Sequence, residues 1–249
     1  MRSSSGKLAT LIGLIVMGSA MGATSAGASY HEIKISEVHF GGTGSFIELQ
    51  MYSDGQNLVG GHYIRTYTPG GAPNNTFAIP SVVPNGQSQR TILIGNTAVS
   101  GADFNNSAIS YDSDGGAVCY LDSLGTPDIG QRDVGIDCVA WGDFDGSFTE
   151  GTPSPFGANV APGGGLFNNS LTRLTNRGCT TALDAADDTD NSIADFVATT
   201  GAGTPRNNAT APTETLCATP KAKKCKKKKK KGKSGAAVAK KKKCKKKKK

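Results

Sequence analysis

The sequence offers few of the residues on which active sites and metal centres usually depend. It contains three histidines, His31, His39 and His62, and neither an H-E-x-x-H nor a G-x-S-x-G motif occurs. The absence of any C-x-x-C pair argues against a zinc site. His39 and His62 fall on strands predicted to be neighbours, where one could act as a general base, but a strand histidine is more often structural. These absences favour a binding protein over an enzyme.

Long apolar runs are also missing, apart from one near the N-terminus. A short basic region precedes the largely apolar stretch 8–17, and Ala26-Gly27-Ala28 fits the A-x-A pattern of a cleavage site. The stretch is shorter than the roughly 20 apolar residues that a membrane-spanning helix needs. We therefore expect residues 1–28 to be a removable signal peptide of a secreted or cell-surface protein, with the mature chain starting at Ser29. The alternative is an uncleaved N-terminal anchor.

Acidic residues are absent from the C-terminal segment 221–249, which contains 19 lysines. The overall net charge of +8 therefore conceals two regions of opposite sign. Residues 29–220 hold all 20 acidic residues and seven basic ones, which gives this region a formal charge of −13. Such asymmetry is typical of a domain that carries an interaction tail. We expect a folded domain over 29–220 and a disordered tail over 221–249, because dense like charges repel and cannot bury a core.

Six cysteines divide between the two regions: Cys119, Cys138, Cys179 and Cys217 lie in the domain, and Cys225 and Cys244 lie in the tail. In the oxidising compartment that export implies, cysteines pair as disulfides, although sequence alone does not choose among the pairings. Cys119 and Cys138 both lie in apolar, strand-like runs, and a Cys179–Cys217 bond would tie the end of the domain back onto it. We predict these two disulfides, with the tail cysteines linking chains or each other.

The pattern of apolar residues in the domain predicts strands. Gly, Asn, Ser, Thr and Asp are abundant, and apolar residues come in short runs such as 46–51, 63–67 and 91–94. Turn dipeptides, among them Asn85-Gly86 and Asp114-Gly115, lie between such runs. Many short strands separated by turn signals favour an all-β sandwich or barrel.

The two ends of the domain resemble the lamin-tail domain family. Sequences of that family begin with the patterns I-x-E-V, F-V/I-E-L and L-x-G-x-x-I/L. They end with a strand that contains an arginine, a turn whose last residues are Asp-Phe, and the pattern T-P-G-x-x-N. The matching segments here are Ile35-Ser36-Glu37-Val38, Phe46-Ile47-Glu48-Leu49, 58–64, Ser170-Leu171-Thr172-Arg173, 190–196 and 203–208. The resemblance covers roughly Ile33 to Asn208 and is thin over the long middle stretch 96–165. It implies an immunoglobulin-like β-sandwich that serves as an accessory or interaction module and catalyses no reaction.

An Asp-rich stretch is the candidate metal site. Its oxygen-bearing residues are Asp184, Asp187, Asp188, Asp190 and Asn191. Closely spaced Asp and Asn side chains on a loop can supply the hard oxygens that calcium prefers, although the Gly and Glu of an EF-hand loop are missing. The alternative is that these side chains cap turns and a short helix by accepting bonds from local backbone N–H groups. We expect no other cofactor.

Glu37 and Glu48 are the best candidates for a catalytic carboxylate pair, since both could lie on adjacent strands. A glycosidase needs two such carboxylates in a cleft, one with a raised pKa. We favour the alternative that both glutamates accept hydrogen bonds at the rim of a sheet, because sandwiches seldom offer a cleft on that face.

The tail carries the strongest functional signal of the sequence. Its candidate polyanion-binding residues are Lys221, Lys223, Lys224, Lys226, Lys227, Lys228, Lys229, Lys230, Lys231, Lys240, Lys241, Lys242, Lys243, Lys245, Lys246, Lys247, Lys248 and Lys249. A flexible polycation binds polyanions by releasing counterions, so the partners are anionic cell-wall polymers, anionic lipid or nucleic acid. The aromatic and arginine residues of dedicated nucleic-acid readers are absent from it. The alternative is that the tail binds the acidic domain of the same chain, a contact that would be strongest at low salt.

Together these patterns predict a secreted, non-enzymatic interaction module that its polylysine tail holds at an anionic surface. The alternative is an exported hydrolase or nuclease that uses the Asp-rich loops with a divalent cation.

Overall fold

The computed structural model describes residues 30–41, 44–125, 134–145, 159–161 and 163–217. The expected signal peptide, the tail lysines, Cys225 and Cys244 lie outside the described residues.

The described residues form two β-sheets with almost no helix. The strands are β1 (Ile33–His39), β2 (Phe46–Met51), β3 (Tyr63–Tyr67), β4 (Pro73–Ala78), β5 (Thr91–Gly95), β6 (Phe104–Asn105), β7 (Gly115–Ser123), β8 (Val134–Gly142), β9 (Asn169–Arg173) and β10 (Phe196–Thr200). One sheet has the order β10-β9-β1-β2-β5-β6 and the other the order β4-β3-β7-β8. Neighbours are antiparallel except β5 and β6. A 3-10 turn, Ala185–Asp187, and one helical turn, α1 (Ser192–Asp195), precede β10. The prediction of an all-β sandwich is confirmed.

The main core lies between the sheets, where alternate residues of the strands place apolar side chains on the inner faces. The buried apolar residues are Ile33, Ile35, Val38, Ile47, Leu49, Met51, Ile92, Ile94 and Leu171 on the six-stranded sheet, and Ile64, Val118, Tyr120, Val139 and Trp141 on the four-stranded sheet. Trp141 satisfies its indole N–H by donating to the carbonyl of Asp112 at 2.8 Å. Each fully buried side chain of this kind contributes about 1.5–3 kcal/mol to folding.

A β-bulge in β1 changes which side chains reach the outer face of the six-stranded sheet. Ile35 pairs with Leu49 and Glu37 pairs with Glu48, so Ser36 is the additional residue. The extra residue shifts the alternation by one position. Glu37 therefore lies beside Glu48 on the outer face, whereas Ile35 points into the core.

Both predicted disulfides are present in the structure. Cys119 on β7 and Cys138 on β8 are register partners with Cα atoms 4.1 Å apart. Cys179, in the loop after β9, is bonded to Cys217 with a Cα separation of 5.5 Å. The part of the chain that the structure describes contains no helix of the length and apolarity that crossing a membrane requires.

Residues 201–217, which we call the closing segment, cover the outer face of the six-stranded sheet. The Thr91 hydroxyl donates to the Arg206 carbonyl at 2.7 Å. Asn208 is fully buried and fixes the segment by accepting from Asn85 N at 2.8 Å and donating to the Thr91 carbonyl at 3.1 Å. This cover explains why polar side chains on an outer face are buried.

Candidate functional site

A polar cavity of about 340 Å³ lies between the outer face of the six-stranded sheet and the closing segment. It is lined by Ser36, Glu37, Glu48, Gln50, Thr172, Arg173, Thr175, Leu183, Thr204, Arg206, Thr213 and Glu214. Glu37, Glu48 and Gln50 are buried, whereas Thr175, Thr204 and Thr213 are exposed. The glutamates therefore form the floor of the cavity and the threonines its mouth.

Glu48 is bound on both carboxylate oxygens. Oε1 accepts from the Ser36 hydroxyl at 2.9 Å, and Oε2 accepts from the backbone N–H of Arg206 at 2.5 Å. The Arg206 guanidinium adds an ion pair at 3.5 Å. Burial raises the pKa of Glu48, although these bonds to Arg206 and Ser36 act in the opposite direction. Glu48 thus fixes the closing segment to β2, as expected if the glutamates accept hydrogen bonds.

Glu37 differs from Glu48 in that one of its oxygens has no partner. The residue is 7% exposed, and its Oε1 makes no hydrogen bond. Burial raises the pKa of Glu37 to about 7, with a further increase from Glu48, while a hydrogen bond with Ser170 and the charge of Arg206 act against it. An added Cβ at Gly203 would come within 2.3 Å of Oε1, so the closing segment lies directly against this atom.

Arg206 and Glu214 complete the charged lining of the cavity. The guanidinium of Arg206 is 2.5 Å from Glu214 Oε1, which also accepts from Gln50 Nε2 at 2.9 Å. Burial opposes the charge of Arg206, but Glu48 and Glu214 outweigh it and raise the pKa of Arg206. Three carboxylates therefore share one guanidinium of the closing segment, which makes the cavity acidic.

The guanidinium of Arg173 also borders the cavity but is bound elsewhere, in a group that we call the closed charge cluster. Its members are Lys34, Asp137, Arg173, Asp188 and Asp195. Arg173 donates to Asp137 Oδ2 at 2.6 Å and to the carbonyl of Ile35 at 2.7 Å. Asp137 Oδ2 also accepts from the backbone N–H of Ile35 at 2.6 Å. The cluster thus satisfies the backbone groups that the β1 bulge frees, and it links β1 and β9 to β8.

The Asp-rich stretch uses its first two carboxylates for local backbone bonds. Asp184 accepts from Ala186 N at 2.7 Å and from Cys179 N at 2.6 Å. Asp187 is fully buried and accepts from Arg177 N at 3.0 Å and Asp184 N at 3.1 Å. These two residues form a capping box around the 3-10 turn.

The remaining three residues of that stretch have different surroundings. Asp188 is 2.5 Å from Lys34 Nζ. Burial disfavours its charge, but Lys34 and Arg173 lower its pKa overall. Asp190 is exposed with a left-handed φ of 56°, and Asn191 has a buried Oδ1 without a partner. Among the described residues, no group of three or more His, Cys, Asp or Glu side chains is arranged to hold a metal ion. The contacts of Asp184, Asp187 and Asp188 match the capping and ion-pair alternative, and calcium binding stays a prediction.

The histidines are placed differently from the sequence-based expectation. His39 lies on β1, whereas His62 directly precedes β3 in the other sheet, so the prediction that they lie on neighbouring strands is wrong. His39 Nδ1 is 3.2 Å from the Ser170 hydroxyl, and burial lowers its pKa. His62 Nδ1 is 3.3 Å from the carbonyl of Asp122. Neither histidine lines the cavity.

Sequence reasoning did not identify Arg206 and Glu214 as site residues. They lie 158 and 164 positions from their partners Glu48 and Gln50. Position 206 corresponds to a glycine in the lamin-tail pattern, so that pattern gave no reason to expect a charged side chain there. The usable signal was the prediction that Glu37 and Glu48 accept hydrogen bonds at the rim of a sheet, because such acceptors need donors from elsewhere in the chain.

Comparison with known proteins found no matching family model, no matching curated protein and no matching solved structure.

Proposed function

We propose that this protein is an exported, non-enzymatic interaction module whose β-sandwich is held at a polyanionic surface by the lysine-rich tail 221–249. One observation carries the proposal: the compact unit that contains the β-sandwich ends at Cys217, shortly before the first tail lysine. The Cys179–Cys217 bond closes the sandwich there. The tail lysines are therefore available for another task than building this core.

The charges of the sandwich support this division of roles. Its formal charge is −13 over residues 29–220. Lys34, Arg173, Arg177 and Arg206 form ion pairs with carboxylates of the same domain. Arg90 donates to three backbone carbonyls of the closing segment. These cations serve the fold, so a polyanion would be bound by the 19 lysines of the tail.

Export is supported by two observations of different kinds. The N-terminal residues 1–28 have the pattern of a signal peptide, and both disulfides of the domain require an oxidising compartment. We also propose kinship with lamin-tail domains. Its support is that two glutamates of the quoted patterns, Glu37 and Glu48, both lie where the closing segment meets the sheet.

The test compares the full chain with a variant of equal length in which every lysine of 221–249 is replaced by serine. Both proteins are sedimented with cell-wall fragments, with anionic vesicles and with duplex DNA over a salt series. We expect the full chain to bind and its retention to fall steeply with salt, with a log–log slope on DNA of about 0.9 per neutralised phosphate. The serine-tail variant should not bind, because a body of charge −13 is repelled by polyanions.

A second variant in which the tail lysines become arginines serves as the matched control, and it should keep most of the binding if charge alone acts. The three surfaces identify which polyanion is preferred. Equal binding by the full chain and the serine-tail variant, or binding that ignores salt, would show that the tether proposal is wrong.

A further inference from the structure

We propose that the cavity under the closing segment binds a primary ammonium group, with the carboxylate of Glu37 as its counter-ion. This is a recognition site of the β-sandwich itself and does not depend on the tail.

The unpartnered oxygen of Glu37 is the first argument. Of the carboxylates that the structure describes, only Glu37 has a buried oxygen without a hydrogen bond. Leaving a buried acceptor unsatisfied is costly, and the cost is larger for a charged group than for a neutral one. A donor supplied by a ligand would remove this cost.

Three of the residues that line the cavity have donors that are already in use. Arg206 is bound to Glu48 and Glu214. Gln50 Nε2 donates to Glu214 and to Gln89. The hydroxyl of Thr172 is 3.1 Å from that of Thr199. These donors are therefore not available to Glu37 Oε1, and a ligand can supply the one that it lacks.

The charge of the cavity selects a cation. Glu37, Glu48 and Glu214 line the cavity with a single guanidinium to balance their charge, that of Arg206, because Arg173 is held by Asp137. Calcium needs six to eight oxygen ligands, and among the described residues no group of three or more His, Cys, Asp or Glu side chains is arranged to hold a metal ion. A primary ammonium has three N–H donors and a single charge. It can pair with Glu37 and use its other donors on hydroxyls or water.

The size of the cavity limits the ligand to a small group. A volume of about 340 Å³ is at the lower end of the range of small-molecule sites. The mouth is formed by the exposed Thr175, Thr204 and Thr213, through which an alkyl chain could enter. The ammonium could belong to a free small amine or to a lysine side chain of a peptide, since both present the same group.

The experiment is an NMR titration of the full chain with n-butylammonium, with n-butanol as the neutral analogue of the same shape. A lysine-containing tripeptide and its Nε-acetylated form distinguish the peptide source from the free amine. The titrations are repeated in the serine-tail variant, which removes the ammonium groups of the tail as competitors. We expect butylammonium or the lysine peptide to shift the resonances of cavity residues, and butanol and the acetylated peptide to leave them unchanged.

Glu37→Gln keeps the shape of the side chain and removes its charge. It should weaken ammonium binding by about 10- to 100-fold, the range that corresponds to losing a charged hydrogen bond. Asp145→Asn is the matched control, because it makes the same charge change at an exposed position that does not line the cavity. It should leave the affinity unchanged.

The pH dependence provides a test on the unaltered side chain. Binding needs ionised Glu37, whose pKa is raised by burial to about 7, so the affinity should fall about tenfold per unit below that pH and level off above it. The other titratable or charged groups near Glu37 are Glu48, Glu214, Arg206, Arg173 and, through Ser170, His39.

Three results would overturn the proposal: no binding of either ammonium probe, equal binding of butylammonium and butanol, or an unchanged affinity in Glu37→Gln. If Glu37→Gln does not fold, the pH profile of the unsubstituted protein decides. A flat affinity between about pH 6 and pH 8 would then show that Glu37 is not the counter-ion.

Discussion

Two groups of buried charges lie beside the bulge of β1, and they are built in opposite ways. In the closed charge cluster, Lys34 and Asp188 are 2.5 Å apart and Arg173 and Asp137 are 2.6 Å apart. In the cavity, Glu37 keeps an oxygen without a partner. The bulge at Ser36 produces both arrangements, because it frees the backbone of Ile35 for the cluster and turns Glu37 toward the cavity.

The surroundings of a buried charge indicate its role. Charges that bond one another and the backbone are accounted for by the fold. A buried carboxylate that the fold leaves partly unsatisfied, beside a cavity large enough for a ligand, is accounted for better by recognition.

Breaking the closed charge cluster should have the largest effect on stability. Arg173→Ala leaves Asp137 buried without its counter-ion and the Ile35 carbonyl without its donor. We expect the free energy of unfolding to fall by about 3–5 kcal/mol, measured by urea denaturation. Asp145→Ala is the control, because Asp145 is exposed and the loss of its side chain should cost less than about 0.5 kcal/mol. A loss below about 1 kcal/mol for Arg173→Ala would contradict the structural role of the cluster.

The two disulfides allow the cavity to be loosened without touching its side chains. Replacing Cys179 and Cys217 by serine, or Cys119 and Cys138 by serine, should each cost about 2–4 kcal/mol, because each bond closes a loop, of 38 and 19 residues respectively. Only the first pair fastens the closing segment. Ammonium binding, followed by NMR, should therefore weaken in the Cys179/Cys217 variant and persist in the other. Equal ammonium binding by the two variants would show that the cavity does not depend on the disulfide that fastens the closing segment.

Removing the charge of Glu37 should stabilise the protein at alkaline pH. Its pKa is about 7 in the folded chain, above the ordinary glutamate value, so the folded state holds a proton that the unfolded state releases. This contribution to stability is present at low pH and is lost as the pH rises through about 7. Glu37→Gln should therefore raise the free energy of unfolding by about 1–3 kcal/mol near pH 8 and change it little near pH 4.5, whereas Asp145→Asn should have no such pH dependence. If Glu37→Gln were less stable than the parent protein at pH 8, the carboxylate of Glu37 would have a stabilising partner in solution.

The fold could be predicted largely because its signals are local. Alternating runs such as Phe46–Met51 indicate strands with one buried face, and two cysteines in apolar runs proved to be register partners on β7 and β8. The bulge at Ser36 shows in the sequence only as a one-position break in the apolar alternation of Ile33, Ile35 and Val38, and such a break does not by itself distinguish a bulge from the end of a strand.

The site was less predictable because its contacts join distant parts of the chain. Glu37 and Glu48 were recognisable as a pair. Their different surroundings depend on the positions of Gly203 and Arg206 in the closing segment, which the sequence does not indicate. Lys34 shows the same limit. It is the one lysine of the domain, and a lone lysine is ordinarily predicted to be solvent-exposed. In the structure it is buried and paired with Asp188.

Calcium should have the smallest effect of all. If the Asp-rich stretch bound calcium with a dissociation constant of about 0.1 mM, a few millimolar would stabilise the fold by roughly 2 kcal/mol and raise the melting temperature by several degrees. The carboxylates of Asp184 and Asp187 already accept backbone bonds, and Asp188 is neutralised by Lys34. A cation would have to displace these partners. We therefore expect calcium and a chelator to give melting temperatures within about 1 °C of each other.

The informative variant is Lys34→Met, which frees Asp188 while keeping an unbranched chain in place. If calcium then stabilises the variant but not the parent, the lysine occupies the position of the cation, and the closed cluster excludes metal because its own charges are satisfied. A clear calcium shift in the parent protein would contradict that account and make the Asp-rich stretch a second binding site.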